Sequence, residues 1–424
     1  ERTLLLADSL YTSDFYIAFE GRSNRGHGVC IDSVVLTETG VIERYLDTLM
    51  VNNVSNDFVA TGLKNNPILR IKAVVQGNTN DLVLDSLTIQ SLNSDDSDIA
   101  EEGVKLFYTH NDVFSADHQL SVSTEFENGI AVFKNIDQEL PTGDSYIWLS
   151  YDIDSNATEG NYVDAQISAN SIKINNEFFP QSNLSPYGKR NILKTVFYDD
   201  FETEKDWQLK GEFERAVPLG KSGSSGNPDP DEAFSGDYVL GTDLTGNGVY
   251  PENLGDTAYL AITPAINAFY FKNLSLSFRR WLNIEPNDVA KMGFFVNGNY
   301  TWFWQNDFIT DYSWKKVSFD LSSYNLRTEN LKLVFDLGPT NSYNNYTGWN
   351  IDDFLLTGEY LSTDIGISKW ISPGEGCGHS SNEPIQVEIT NYGGEDSPAE
   401  IPLYFSFDNG YTKIVDTLNQ SIPK

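Results

Sequence analysis

Apolar and polar residues alternate along most of this chain with a period close to two. Residues 145–153, 274–278 and 317–321 show it most clearly. Each reads as a strand, because successive strand side chains point to opposite faces. Turn-forming groups separate such runs, among them Glu127-Asn128-Gly129, Pro141-Thr142-Gly143-Asp144 and Val296-Asn297-Gly298-Asn299. They recur at roughly 8–12 residues, and few windows carry a helical apolar stripe with caps. The pattern predicts an all-β protein built of tandem β-sandwich or jelly-roll domains.

A repeat suggests where the domains lie. Residues 17–21, a polar loop and the run Cys30-Ile31-Asp32-Ser33 match residues 333–338, a second polar loop and Asn350-Ile351-Asp352-Asp353. Residues 1–40 therefore read as the C-terminal fragment of a jelly-roll domain whose complete copy spans 195–360. Between them, 41–190 reads as a second β-sandwich closed by the polar stretch 180–188, a plausible linker. From 361 to 424 a third pattern has only three or four strand signals, as in a partial Ig-like domain. The chain begins without Met or a signal-peptide shape. The expectation is a segment excised from a larger repeat-containing protein.

Charge narrows the function. The 424 residues carry 28 basic and 61 acidic side chains, a net charge of −33. That excess repels phosphate backbones and anionic lipid, and suits an extracellular protein or a cation binder. Hydrophobic content of 40% with 13% aromatics supports packed cores. Two distant cysteines, Cys30 and Cys377, exclude a disulfide-dense scaffold. No apolar run approaches the roughly 18 residues of a membrane span.

The strongest candidate chemistry is acidic. Tyr198-Asp199-Asp200-Phe201-Glu202 opens the complete jelly roll and Asn350-Ile351-Asp352-Asp353 closes it. First and last strands of a jelly roll commonly lie side by side, which would bring these carboxylates together. Ca²⁺ takes several oxygen ligands at about 2.3–2.6 Å and would offset their repulsion, with Asp243 completing the set. The alternative is solvated acidic loops. His27, His110, His118 and His379 have no metal or triad spacing. Cys30 reads as a small buried hydrophobe, and Cys377 as free or paired outside this segment. Residues 406–412 match most of an Asp-box, with Lys413 in place of Trp, but the motif occurs once and reads better as a hairpin. Trp302 and Trp304 alternate on a strand, as a glycan platform or, preferably, as core. Arg279-Arg280-Trp281 reads as a strand end with a salt-bridged rim.

Three resemblances add to this. Asp200-Phe201-Glu202 with Trp207, residues 260–266 and 276–281, and Gly348-Trp349-Asn350-Ile351-Asp352-Asp353 resemble the MAM-like or cleaved-adhesin jelly rolls of secreted Bacteroidetes proteins. That resemblance implies a structural calcium at Asp200, Glu202 and Asp352, and less directly Asp243. Residues 82–89, 104–109 and 146–161 resemble the accessory β-sandwich of BNR-repeat neuraminidases, without the catalytic propeller. Residues 383–393 are similar to CARDB-type Ig-like modules. Such proteins are typically exported by the type IX secretion machinery, which the resemblance implies as a partner.

The expectation is therefore a non-catalytic segment of a secreted or cell-surface adhesin that binds glycan or protein ligands through calcium-stabilised jelly rolls. The alternatives are the accessory region of a secreted peptidase or sialidase, and the structural stalk of a surface filament. Asp-Ser/Thr-apolar triplets, at Asp8-Ser9-Leu10, Asp32-Ser33-Val34, Asp47-Thr48-Leu49, Asp85-Ser86-Leu87, Asp256-Thr257-Ala258 and Asp416-Thr417-Leu418, fit the O-glycosylation pattern of such cargo.

Overall fold

The computed structural model describes residues 41–296, 298–344, 346–374, 382–406 and 414–424. The jelly-roll fragment 1–40 with Cys30 and two of the triplets, Cys377 with His379, and the Asp-box-like segment beyond Ser406 lie outside the described residues. Among the described residues, regular structure is strand throughout apart from one 3-10 turn, Asp96–Asp98. No helix there is long and apolar enough to cross a membrane. The fold is all-β, with β-sandwiches in tandem.

The first sandwich faces two sheets. One runs Tyr45–Asn53, Asn66–Gln76, Gly143–Ile153, Ile99–Thr109, antiparallel throughout. The other runs Glu177–Phe179, Ile172–Ile174, Val83–Ser91, Ile130–Glu139, with Ala165–Gln166 joined to Val83–Ser91. Between them lies a mainly aliphatic core including Ile71, Val75, Leu87, Ile89, Leu106, Leu149 and Ile172. Burying each such side chain contributes about 1.5–3 kcal/mol. Gly143–Ile153 is buried on both faces, because Tyr146 and Trp148 on its outer side pack under Val54 and Phe114.

The second sandwich is built on its two longest strands, Phe271–Ile284 and Gly348–Tyr360, paired from Asn283↔Gly348 to Phe271↔Tyr360. Lys315–Asp320 extends the sheet on one side, and Arg190–Asp199 and Val239–Thr242 share the far edge of Gly348–Tyr360. The facing sheet runs Gln208–Lys210, Tyr259–Ile262, Lys332–Leu337, Ala290–Val296, Asn299–Gln305. This core is aromatic. Phe335 meets Phe278 at 5.2 Å, Trp349 at 5.3 Å and Phe354 at 6.0 Å between ring centroids.

The passage between the sandwiches is a strand. Leu184 pairs with Ile167, so the stretch 180–188 packs on the first sandwich. Arg190–Asp199 then begins beside Tyr162–Val163 and Val59–Ala60, and ends opposite Phe354 of the second sandwich. Its Ile192 belongs to the first core. Buried Arg190 donates to the carbonyls of Asp57, Phe58 and Pro67. Beyond residue 360, Ile365–Ser372 pairs with Gln386–Asn391, and Ile401–Phe405 with Ile414–Leu418.

Candidate functional site

The opening turn and closing strand of the second sandwich meet, since Asp199 lies opposite Phe354. Phe201 is buried at φ 59°, a conformation costly for a bulky residue. Holding it there turns its ring into the core against Trp207, 5.5 Å away, and leaves Asp200 and Glu202 on either side. Asp199 fixes the turn by accepting from Phe201 N at 2.9 Å and Trp207 Nε1 at 2.7 Å.

Two of the expected ligands converge on one loop. Glu202 Oε1 accepts from the amides of Asp237 and Tyr238 at 2.9 and 2.8 Å. Asp352 Oδ2 accepts from Phe234 N at 2.8 Å and Ser235 N at 3.0 Å, and its Oδ1 from Asp353 N at 2.7 Å. The carboxylates thus hold opposite ends of segment 234–238. Asp200 stays in its own turn, accepting from Glu202 N at 3.3 Å. Asp243 stands apart, with Oδ2 capping Gly248 N and Val249 N. Among the described residues, no three His, Cys, Asp or Glu side chains gather in a metal-holding arrangement. In this structure the set grips backbone amides.

The charge of this edge is poorly balanced. Burial, then the neighbouring Asp353, pushes Asp352 up to about 8, and burial also raises Asp353. The nearby cation is Arg279, whose guanidinium lies 3.7 Å from the Phe234 ring centroid and whose own pKa burial lowers. Asp353 adopts φ 47° and accepts from Ser235 Oγ and Tyr198 OH.

Segment 234–238 is the end of a longer strap across the outer face of the large sheet. Asn283 Oδ1 accepts from Asn227 N, Trp281 Nε1 donates to Pro228 O, and Asn350 Nδ2 donates to Asp229 Oδ1 at 2.6 Å. Arg279, Trp281 and Asn283 alternate along one strand opposite Asp352, Asn350 and Gly348, so all lie on one face. The sequence reads Arg279-Arg280-Trp281 as a strand end with a salt-bridged rim. Arg280 does pair with Asp311, at 2.9 Å, whereas Arg279 and Trp281 hold the strap. The available signal was polar residues at alternate positions on the longest strands.

The second surface corrects the reading of Trp302 and Trp304. Between Met292 and Gly293 the register slips, so Met292 pairs with Trp304 and Gly293 with Trp302. Phe303 is the extra residue of this bulge, and it sends the two indoles to opposite faces. Trp304 enters the core against Trp349, 5.7 Å away, and Phe319. Trp302 lies outward, its ring within 2° of parallel to Tyr300 at 5.5 Å, with Phe295 4.9 Å from Tyr300. Gly293 makes room, since a Cβ there would sit 2.7 Å from the indole and 2.5 Å from Thr301 O. Lys291 Nζ rests 4.7 Å from the Trp302 ring centroid, between Asp256 at 2.5 Å and Asp336 at 3.1 Å. Burial raises Asp336 to about 6 despite that lysine. The result is an outward aromatic stack, with Tyr300 40% exposed, edged by a cation and two carboxylates.

No protein-family model matches the chain. Bacillopeptidase F of Bacillus subtilis is 30% identical over 179 residues, which is 41% of this chain and 11% of that protein. The chain therefore spans a small part of that relative's length. Among solved structures, the N-terminal CBM22-1–CBM22-2 tandem domain of Xyn10C from Paenibacillus barcinonensis aligns over 74% of this chain and 92% of its own. Its TM-score is 0.28 at 11% identity. SGBP-B, from a complex xyloglucan utilization locus in Bacteroides uniformis, aligns over 74% of this chain and 73% of its own. Its TM-score is 0.29, also at 11% identity.

Proposed function

We propose that the second sandwich is a non-catalytic glycan-recognition module of an extracellular protein, and that Tyr300 and Trp302 form its binding platform. The observation that carries this is the pair of parallel rings turned outward by the bulge, while their neighbour Trp304 is spent on the core. A pyranose offers one face of C–H groups that packs on such a π surface. Its hydroxyls would meet Lys291 and Asp256 at the rim, where charged partners give stronger hydrogen bonds than neutral ones. The adhesin role, a cell-surface location and export by type IX machinery belong to the same proposal. So does a structural Ca²⁺ at Asp200, Glu202 and Asp352, with Asp243 on a separate turn. Its support is the crowding of the buried Asp352 and Asp353 carboxyls at that edge, faced by the single guanidinium of Arg279. Binding of the full chain to immobilised polysaccharides, followed by affinity electrophoresis, tests the platform. Trp302→Ala should weaken retention at least tenfold, and retention equal to the unsubstituted chain would refute it.

A second reading is the accessory region of a larger secreted enzyme. The 179-residue match to bacillopeptidase F favours it, since that match is 11% of a much longer protein. Sequencing the complete gene decides between them, because a catalytic domain in the same polypeptide turns the adhesin into an accessory module.

A further inference from the structure

We propose that a hard, oxygen-seeking metal cation sits beneath the strap, held by Asp229, Asn350 and Thr347, apart from the Asp200–Glu202–Asp352 edge. Asp229 is 3% exposed, and Asn350 and Thr347 are fully buried. The Asp229 carboxylate and the Asn350 amide meet through Oδ1 and Nδ2 at 2.6 Å. Each keeps a second oxygen, Asp229 Oδ2 and Asn350 Oδ1, that is buried without a hydrogen-bond partner. The Thr347 hydroxyl lies beside the same carboxylate and is likewise buried without a well-formed hydrogen bond. Two orphaned oxygens, with the poorly bonded Thr347 hydroxyl beside them, call for a guest, because each unpaired polar atom costs free energy.

The chemistry of the guest follows from the donors. All three candidate donors are oxygens, one of them a carboxylate, and oxygen sets of this kind take Ca²⁺ or a similar hard ion. The protein supplies little positive charge there, since the field of Lys221 is the smallest of the influences on Asp229. Lys221, the base whose field reaches Asp229, donates its Nζ to the carbonyls of Thr245 and Gly246. Asp243 adds further negative charge nearby. A bound water would satisfy hydrogen bonds but leave the buried charge unpaired, whereas a cation answers both. The strap makes the enclosure, since Asp229 reaches Asn350 only because Asn227 and Pro228 are pinned to Asn283 and Trp281.

Calcium stoichiometry on the full chain tests this, measured by equilibrium dialysis after chelator treatment, with Mg²⁺ and Na⁺ as competing arms. Asp229→Asn is nearly isosteric and should remove one bound Ca²⁺ per chain. Thr347→Val should weaken the same site at least tenfold while near-ultraviolet dichroism stays native. Asp352→Asn should leave this ion in place, which separates the site from the acidic edge. An Asp229→Asn chain that binds as many ions as the parent overturns the proposal. So does a parent chain that binds none of the three cations.

Discussion

Each sandwich covers the outer face of one of its sheets, and the two do so with opposite chemistry. In the first, Phe107, Tyr146 and Trp148 are roofed by Phe114, which meets Phe107 at 5.6 Å and Trp148 at 5.7 Å edge to face. The polar end of that cluster is the Trp148 indole, which donates to Thr109 Oγ1. In the second, the cover is a strap held by Glu202, Arg279, Trp281, Asn283, Asn350 and Asp352. An apolar roof holds equally well at any protonation state. A strap gripped by buried carboxylates does not, because desolvation penalises their charged form. The difference predicts that solution conditions act on one sandwich and spare the other.

The largest expected effect is on the apolar roof. Trp148→Ala should lower the stability of the first sandwich by about 3–5 kcal/mol, the range for truncating a buried tryptophan. Denaturant unfolding should give the same loss at pH 5 and pH 8. A loss below about 1 kcal/mol would mean that the roof is ornamental.

Calcium comes next. Ligation of folded chain alone adds about 2.7 kcal/mol at a hundredfold excess over Kd. The second sandwich should therefore melt several degrees lower in chelator, while the transition of the first stays fixed. Equal melting curves with and without chelator would remove calcium from both proposed sites.

These contrasts also show what the sequence makes legible. Alternation and Asn-Gly or Pro-x-Gly turns are local, so the all-β architecture is visible in it. The meeting of Glu202 and Asp352 on one loop follows from the adjacency of first and last strands. The roles of Trp302 and Trp304 are not legible, because a bulge of one residue inverts every face beyond it and leaves no mark in composition. The strap is equally hidden. Residues 221–238 have no period, and their partners lie some 50 to 120 positions away, as with Pro228 and Trp281 or Asp229 and Asn350. Alternation over 145–153 marks a strand but not its depth, and tertiary cover buries both of its faces.

The pH dependence is smaller and has a definite sign. In the second sandwich burial raises Asp336 to about 6, Asp229 to about 7 and Asp352 to about 8. In the first, burial raises Asp164 to about 6. A carboxyl whose folded pKa exceeds its unfolded value near 4 binds its proton more tightly when folded. Its contribution is complete below about pH 4 and is lost as pH rises through the folded value. The melting temperature of the second sandwich should thus fall more steeply than that of the first between pH 5 and 8, and Ca²⁺ should flatten the slope. Parallel slopes would erase the distinction drawn between the two covers.

The smallest effect concerns the joint, where apolar and charged contacts again coexist. Lys316 of the second sandwich pairs with Asp57 of the first at 2.9 Å, with side chains 40% and 60% exposed. The hydrogen bond from Lys316 lowers the pKa of Asp57, so this contribution persists at neutral pH and fades only in acid. Water screens so open a pair, and ordering a long lysine side chain offsets much of the gain. A double-mutant cycle with Lys316→Ala and Asp57→Ala should give a coupling below about 1 kcal/mol, shrinking further in molar salt, where the screening length is about 3 Å. Arg190 works differently, donating from a buried position to the carbonyls of Asp57, Phe58 and Pro67 at the start of a strand that pairs with elements of both sandwiches. Its contribution should be insensitive to salt. A Lys316–Asp57 coupling well above 1 kcal/mol that survives high salt would make the joint electrostatic, and would displace the shared strand as the element that fixes one sandwich on the other.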